Sequence, residues 1–250
     1  MQAATFDGGF GLIVIGDEIL FGKRQDRHFE HFRETLAQRG FHLLRCWVIG
    51  DEACSLTRQL AFSMQENLPV FVCGGIGATP DDLTRQCAAE AAGVALSLHE
   101  EARQLIEGQF GEAAYPTRIK MAELPQGCDL IPNPYNRIPG FFIRQHYFLP
   151  GFPQMSWPMA NWVLDQFFST RAPLREVAVK VYDTPESSLV PVMQLFAGLA
   201  EVKMFSLPRL GEQRFIELGF RGYGDVHAAL EQLKTELQQR NMPFRDSEET

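Results

Sequence analysis

The chain has 250 residues, 45% of them hydrophobic, and a formal charge of −8 from 23 basic and 31 acidic side chains. That length and apolar content suit one large folded domain, or one large and one small, with a core that needs no disulfide staples. The acidic balance argues against nucleic acid and anionic membranes as partners, and no apolar run approaches the roughly 18 to 20 residues that a membrane helix requires. Five cysteines, Cys46, Cys54, Cys73, Cys87 and Cys128, are odd in number and include no CxxC pair. With no basic-then-apolar leader at the N-terminus, the expectation is a cytoplasmic protein in a reducing compartment.

Residues 11–15 (GLIVI) form a continuous apolar run ending in Gly16, the pattern of a strand buried on both faces. Phe29, Phe32 and Leu36 recur at helical spacing between Asp26, an N-cap candidate, and the Arg39-Gly40 stop. A second strand is predicted over 42–49, followed by Gly50-Asp51, and Leu56, Leu60 and Met64 line a second helix. The third strand, 70–73, runs into CGGIGATPDDLT at 73–84; helices follow over 83–92, closed by Gly93, and over 100–110. Strand and helix alternate, which predicts an α/β fold with a mostly parallel sheet and helices on both faces. From Tyr115 onward proline and glycine become dense, a hairpin is predicted over 141–149, and a helix over 155–168 completes a large domain at 1–170. After a linker at 171–175, strand 176–182, helix 187–199, strands 202–206 and 214–220 and helix 225–239 predict a small β-α-β-β-α domain at 176–240. Residues 241–250 read as a polar, frayed tail.

Chemistry concentrates in the loops that follow the first three strands. Gly74, Gly75 and Gly77 let the backbone turn sharply and approach a ligand, Thr79 and Thr84 add hydroxyls, and a helix beginning near Asp82 would turn its free N–H groups toward a phosphate. Asp81 and Asp82 would oppose an anion unless a divalent cation lay between. The alternative is a tight turn in which Asp82 merely caps the helix. Gly16-Asp17-Glu18 and Gly50-Asp51 also follow predicted strands, and in an open parallel sheet such loops gather at the carboxyl edge, where ligands bind. The Pro-rich segment, with Lys120, Asn133 and Pro139-Gly140, could close the pocket, Lys120 or Arg118 neutralising phosphate; the alternative is a structural hairpin with a solvated lysine. His28 and His31 lie one turn apart but lack a third ligand, and with Arg27, Glu30 and Arg33 beside them predict a solvated helix face. GFRG at 219–222 has the GxxG spacing of an RNA-binding loop but joins a strand to a helix, and reads as a turn.

GDEIL at 16–20, GGIGATPDDLT at 74–84, NPYNRIPGF at 133–141 and LPGFPQM at 149–155 resemble, in order and spacing, the molybdopterin-binding domain family, with the likeness greatest to the N-terminal domain of CinA-type competence/damage-inducible proteins. The likeness covers roughly residues 10–168; for the 176–240 unit it is weaker, to the small KH-type domain that follows in CinA, and rests on TPESSL at 184–189. The resemblance implies a three-layer α/β/α sandwich, a homo-oligomer, and a site in which Gly16, Gly74, Gly75, Gly77, Thr79, Thr84, Pro139 and Gly140 meet a small phosphorylated ligand, molybdopterin or a nucleotide. It implies Asp17, Asp51 and Asp82 as Mg²⁺ ligands and catalytic groups, Glu18 and Asp81 in support, and Lys120 and Asn133 on phosphate or ring groups. The implied activities are binding of molybdopterin or a nucleotide, Mg²⁺-dependent hydrolysis of a pyrophosphate such as ADP-ribose, or assembly around a vestigial site. The C-terminal amidase activity of CinA is not expected here. Ala78 replaces the family's proline, Gln25-Asp26-Arg27-His28 replaces a small polar stretch, and Asn136-Arg137-Ile138 departs from the family's glycine-containing segment.

Overall fold

The computed structural model describes residues 8–209 and 214–247. The chain divides into two compact units, Met1–Arg171 and Ala172–Thr250.

In the first unit β1 (Gly9–Ile15) is followed by the single turn α1 (Asp17–Leu20), α2 (His28–Gln38), β2 (His42–Ile49), α3 (Ala53–Gln65) and β3 (Val70–Cys73). Then come α4 (Thr84–Ala92), β4 (Leu96–Leu98), α5 (Glu100–Phe110), two 3-10 turns at Gly111–Ala114 and Arg118–Ala122, β5 (Glu123–Pro125), β6 (Asp129–Ile131), β7 (Gly140–Ile143), β8 (His146–Leu149) and α6 (Pro153–Phe167). Six strands form one sheet in the order β2-β1-β3-β8-β7-β6. The pairs β1–β2, β1–β3 and β3–β8 are parallel, and β7 and β6 are antiparallel additions.

The unbroken apolar run of β1 has its cause in this topology. Every residue of β1 is buried. Phe10, Leu12 and Val14 face a core shared with Phe32 and Leu36 of α2 and Met159, Val163 and Leu164 of α6. Ile13 and Ile15 face the opposite core, with Leu56 and Leu60 of α3, Ala88 of α4 and Ala102 and Ile106 of α5. Two helical layers thus cover a central sheet, and a strand packed on both faces loses the polar alternation of a half-exposed one. The expected α/β/α sandwich with a mainly parallel sheet is what the chain forms.

The three-residue strands β4, β5 and β6 were not expected. β4 and β5 make a separate two-stranded ribbon, and β6 extends the expected hairpin into a third antiparallel strand. The second unit contains β9 (Arg175–Tyr182), α7 (Glu186–Leu195), β10 (Val202–Arg209), β11 (Phe215–Gly222), α8 (Val226–Gln239) and β12 (Phe244–Asp246), with an antiparallel sheet ordered β10-β11-β9-β12. Leu189 and Val192 of α7 and Val226, Leu233 and Leu237 of α8 close its core over Val179, Leu218 and Phe220. The frayed-tail expectation is corrected over 244–246: β12 pairs antiparallel with β9, Phe244 packs on this core, and Asp246 meets Lys234 at 2.9 Å. Edge pairing satisfies backbone groups that a polar composition alone does not reveal. Residues 248–250 of that tail lie outside the described residues.

Candidate functional site

Because β1, β2, β3 and β8 run the same way, their C-terminal ends deliver four loops to one edge of the sheet. Backbone bonds tie the loops together: Gly16 N donates to Ile49 O at 3.0 Å, and Gly74 N to Leu149 O at 3.0 Å. Asp17 N donates to Asp51 Oδ2 at 2.9 Å while Asp51 N donates to Asp17 Oδ1 at 3.3 Å, a reciprocal clasp between the first two loops. Gly74 and Gly75 have φ of +120° and +65°. A Cβ on Gly74 would run into the Ile15 carbonyl, and one on Gly75 into the Thr84 hydroxyl, so this turn requires glycine twice.

The loops enclose a cavity of about 430 Å³. Of the residues expected from the sequence, Gly16, Glu18, Asp51, Gly74, Gly75 and Gly77 line it, as do Thr79, Asp81, Asp82, Asn133 and Pro139. Four others have different work. Thr84 is fully buried and donates its hydroxyl to Gly74 O at 2.9 Å, holding the glycine turn from below. Gly140 lies in β7, where a side chain would strike the Phe148 carbonyl. Asp17 forms the clasp with Asp51 through its N–H and Oδ1. Lys120 is exposed on a 3-10 turn and does not line the cavity, whose wall there is made by its neighbour Met121. Arg118 also points elsewhere, lying 4.6 Å over the Phe110 ring and donating to Ala113 O. Neither Lys120 nor Arg118 is among the residues that line the cavity.

The helix expected over 83–92 begins at Thr84, and its first N–H is not free, Thr84 N donating to Gly75 O at 3.0 Å. Asp82 instead closes its own turn, its Oδ2 accepting from Thr79 N at 2.9 Å and Thr79 Oγ1 at 2.6 Å. Asp17, Asp51 and Asp82 do not assemble as a metal triad: among the described residues no group of three His, Cys, Asp or Glu side chains is placed to hold a metal ion. One oxygen of each of these carboxylates is bonded to a backbone or threonine donor.

Electrostatically the cavity is acidic. Glu18, Asp51, Asp81 and Asp82 line it against one cation, Arg24, which stands 3.9 Å from Glu18. Burial pushes the Asp51 carboxyl above its ordinary range, and the charges of Asp17, Glu18 and Asp81 push it the same way, against the hydrogen bond from Asp17 N. Asn133 is 4% exposed; its Oδ1 accepts from Tyr135 N at 3.0 Å, but its Nδ2 is buried with no hydrogen-bond partner. A buried amide N–H₂ without an acceptor is a donor waiting for a ligand oxygen.

Sequence reasoning missed Arg85. It is 3% exposed and donates to the carbonyls of Gly77 (3.0 Å), Glu123 (3.0 Å) and Lys120. No carboxylate pairs with it in this set, so a buried positive charge sits beneath the glycine loop, its two terminal nitrogens held by carbonyl dipoles and its Nε without a partner. Its position gives the signal: Arg85 shares the apolar stripe of α4 with Ala88, Ala89 and Ala92, where a charge must have a reason. His28 is a similar case. It is 5% exposed and its Nε2 lies 3.1 Å from Gly151 O, while His31 stacks on Trp157 with ring centroids 3.9 Å apart, so the solvated-face expectation is corrected.

Comparison with known proteins agrees with this architecture. Residues 11–170 match the family described as probable molybdopterin binding domain. A CinA-like protein of Citrifermentans bemidjiense is 30% identical over 92% of this chain and 57% of its own length, and one of Geobacter sp. strain M21 is 31% identical with the same coverage. The chain thus spans little more than half the length of these relatives. The crystal structure of a CinA protein of unknown function from Thermoplasma acidophilum is similar with a TM-score of 0.59 at 26% identity, covering 64% of this chain and 99% of that one. By fold, by loop architecture and by the extent of that match, the chain belongs to the molybdopterin-binding domain family.

Proposed function

We propose that the cavity at the carboxyl edge of the sheet binds the phosphorylated part of a small ligand, molybdopterin or a nucleotide. The observation that carries this reading is the pairing of a glycine turn, open to close backbone approach, with the unpartnered Asn133 Nδ2 on the same wall. A cavity of about 430 Å³ lies within the range that holds a drug-sized molecule. The match to the probable molybdopterin binding domain family supports the same class of ligand.

The test is a thermal-unfolding screen of nucleotides and pterins, each with and without Mg²⁺. Ligand at a hundred times its Kd stabilises by about 2.7 kcal/mol, an increase of several degrees in melting temperature. Asn133→Leu should abolish most of that increase without lowering the ligand-free melting temperature by a comparable amount. Absence of any shift with wild-type protein across the whole screen overturns the reading.

A second reading is hydrolysis of a pyrophosphate such as that of ADP-ribose, and the raised Asp51 carboxyl favours it. A carboxylate whose proton affinity is moved toward neutrality is better matched to taking a proton from an attacking water. Mg²⁺ would supply Lewis-acid polarisation of a phosphoryl oxygen; it keeps most of its water and needs only one or two carboxylates, which Glu18 and Asp51 can provide. Formation of AMP and ribose 5-phosphate from ADP-ribose that requires Mg²⁺ and disappears in Asp51→Asn would establish it. Ligand binding with no turnover would leave the binding reading alone.

A further inference from the structure

Beside the first cavity lies a second one of about 340 Å³, on the side of the sheet covered by α2 and α6. The two share Ile15, Glu18, Arg24, Gly151 and Phe152, so they meet across the loop ends of β1 and β8. The second cavity has a different character from the first. Val14, Ile19 and Cys73 give it an apolar floor, and the half-exposed ring of Phe152 stands at its border with the first. Its remaining lining comes largely from Gln25, Asp26, Arg27, His28 and Gln154, the first four being the stretch that departs from the family's small polar residues.

His28 is its one buried polar side chain, and its hydrogen bonding fixes its chemistry. A carbonyl only accepts, so the ring nitrogen facing Gly151 O, Nε2, carries the hydrogen. Burial lowers the ring's affinity for a second proton. The other nitrogen, Nδ1, is then a bare acceptor, and it has no partner. Asp26 cannot supply one: a carboxylate accepts, and both of its oxygens already take bonds, from His28 N at 2.9 Å and Phe29 N at 3.0 Å. An apolar slot beside a phenyl ring, with one buried acceptor in its wall, is complementary to a flat heterocycle that presents an N–H on its edge.

We infer that the second cavity is a ring subsite. It takes the flat nitrogen heterocycle of the ligand whose phosphate occupies the first cavity, and His28 Nδ1 accepts an edge N–H of that ring. The inference rests on the phosphate reading of the first cavity and adds to it a second recognition point and a specificity-determining residue. The phosphate-bearing arm would cross between the cavities past Arg24, which lines both.

The test is isothermal titration of the whole chain with three probes: inorganic pyrophosphate, ADP, and 6-hydroxymethylpterin diphosphate. The first has no ring, and the other two present different rings with N–H edges. At least one ring probe should bind more than tenfold tighter than pyrophosphate. His28→Gln keeps a donor near the Nε2 position but removes the acceptor, and should weaken the ring probe about tenfold, the loss of one buried hydrogen bond, while leaving pyrophosphate unchanged. His28→Asn places its Oδ1 near the lost Nδ1 and should recover most of that affinity. Gln154→Trp, an exposed position on the rim of the second cavity only, should block the ring and equalise ring probe and pyrophosphate without touching the buried core. Ring probes no tighter than pyrophosphate, or a His28→Gln variant that weakens pyrophosphate equally, overturn the ring subsite and leave the phosphate reading standing. Ring binding that depends on His28 while pyrophosphate fails to bind overturns the phosphate reading instead.

Discussion

Arg85→Met tests whether the buried guanidinium is the keystone of the glycine loop. Methionine is apolar and fills much of the same space, so the substitution removes donors rather than opening a large void. Three carbonyls, those of Gly77, Lys120 and Glu123, lose a charged donor at once. Hydrogen bonds to a charged group are worth about 1.5–3 kcal/mol each, but the carbonyls nearest the cavity can take water, and the desolvation of the buried cation is relieved. The net loss expected is about 3–5 kcal/mol, the worth of three such bonds reduced by that relief. All three tryptophans, Trp47, Trp157 and Trp162, lie in the first unit, so urea unfolding followed by tryptophan fluorescence reports on that unit. The midpoint should fall by about 1–2 M urea, given slopes of about 2–3 kcal/mol per M for a chain of this size. Arg85→Lys keeps the charge but cannot span three carbonyls in one plane, and should fall between. A methionine variant within 1 kcal/mol of wild type that binds ligand normally would refute the keystone role.

Gly75→Ala places a side chain at φ +65° against the Thr84 hydroxyl; left-handed strain and loss of the Thr84–Gly74 bond together should cost about 2–3 kcal/mol and abolish the ligand-induced rise in melting temperature. His146 predicts a pH dependence. Its ring is fully buried between Ser63 Oγ (2.8 Å) and Arg144 O (2.9 Å), and burial lowers its pKa from 6.5 to about 4. The unfolded ring binds its proton first, so the stabilisation is present above pH 6.5 and lost as pH falls toward 4. The amount is about 3 kcal/mol, measured as the difference between wild type and His146→Gln in urea midpoints at pH 7 and pH 4. Equal losses in the two proteins would contradict it.

The parallel half of the sheet was legible because burial on both faces forces continuous apolar runs, and 11–15 and 70–73 are such runs with no rival reading. The loops after them were legible because Gly74 and Gly75 occupy backbone conformations that other residues resist. Three-residue strands such as β4, β5 and β6 are too short to show a period, and only their pairing partners define them. Lys120 could not be placed from the sequence because a charge in a loop says nothing of its direction. Arg85 was missed, and His28 misread as solvated, for an opposite reason: each lies on the apolar stripe of its helix, Arg85 with Ala88, Ala89 and Ala92, and His28 with Phe32 and Leu36. Charge or polarity at such a position marks a buried, bonded side chain, a signal that composition averages away.

The balance of charge at the cavity leads to the last prediction. Four carboxylates and one exposed arginine surround the proposed phosphate position. Two like charges about 4 Å apart repel by about 4 kcal/mol at an effective dielectric of 20, enough to prevent binding of a bare phosphate unless something offsets it. Buried Arg85 offers a fixed positive charge beneath Gly77. A bound proton on Asp51 or a divalent cation arriving with the ligand offers the rest, and burial already inclines Asp51 toward the protonated state. Asp51→Asn imitates that proton while keeping an oxygen to accept from Asp17 N. In EDTA at pH 7.5 the variant should bind pyrophosphate several-fold tighter than wild type, and it should gain less from added Mg²⁺. Lowering the pH toward the carboxyl's range should strengthen binding to wild type more than to the variant, the comparison cancelling titration of the pyrophosphate itself. If the variant binds more weakly than wild type in EDTA, then Asp51 is a contact for the ligand rather than a charge the ligand must overcome, and the electrostatic argument fails.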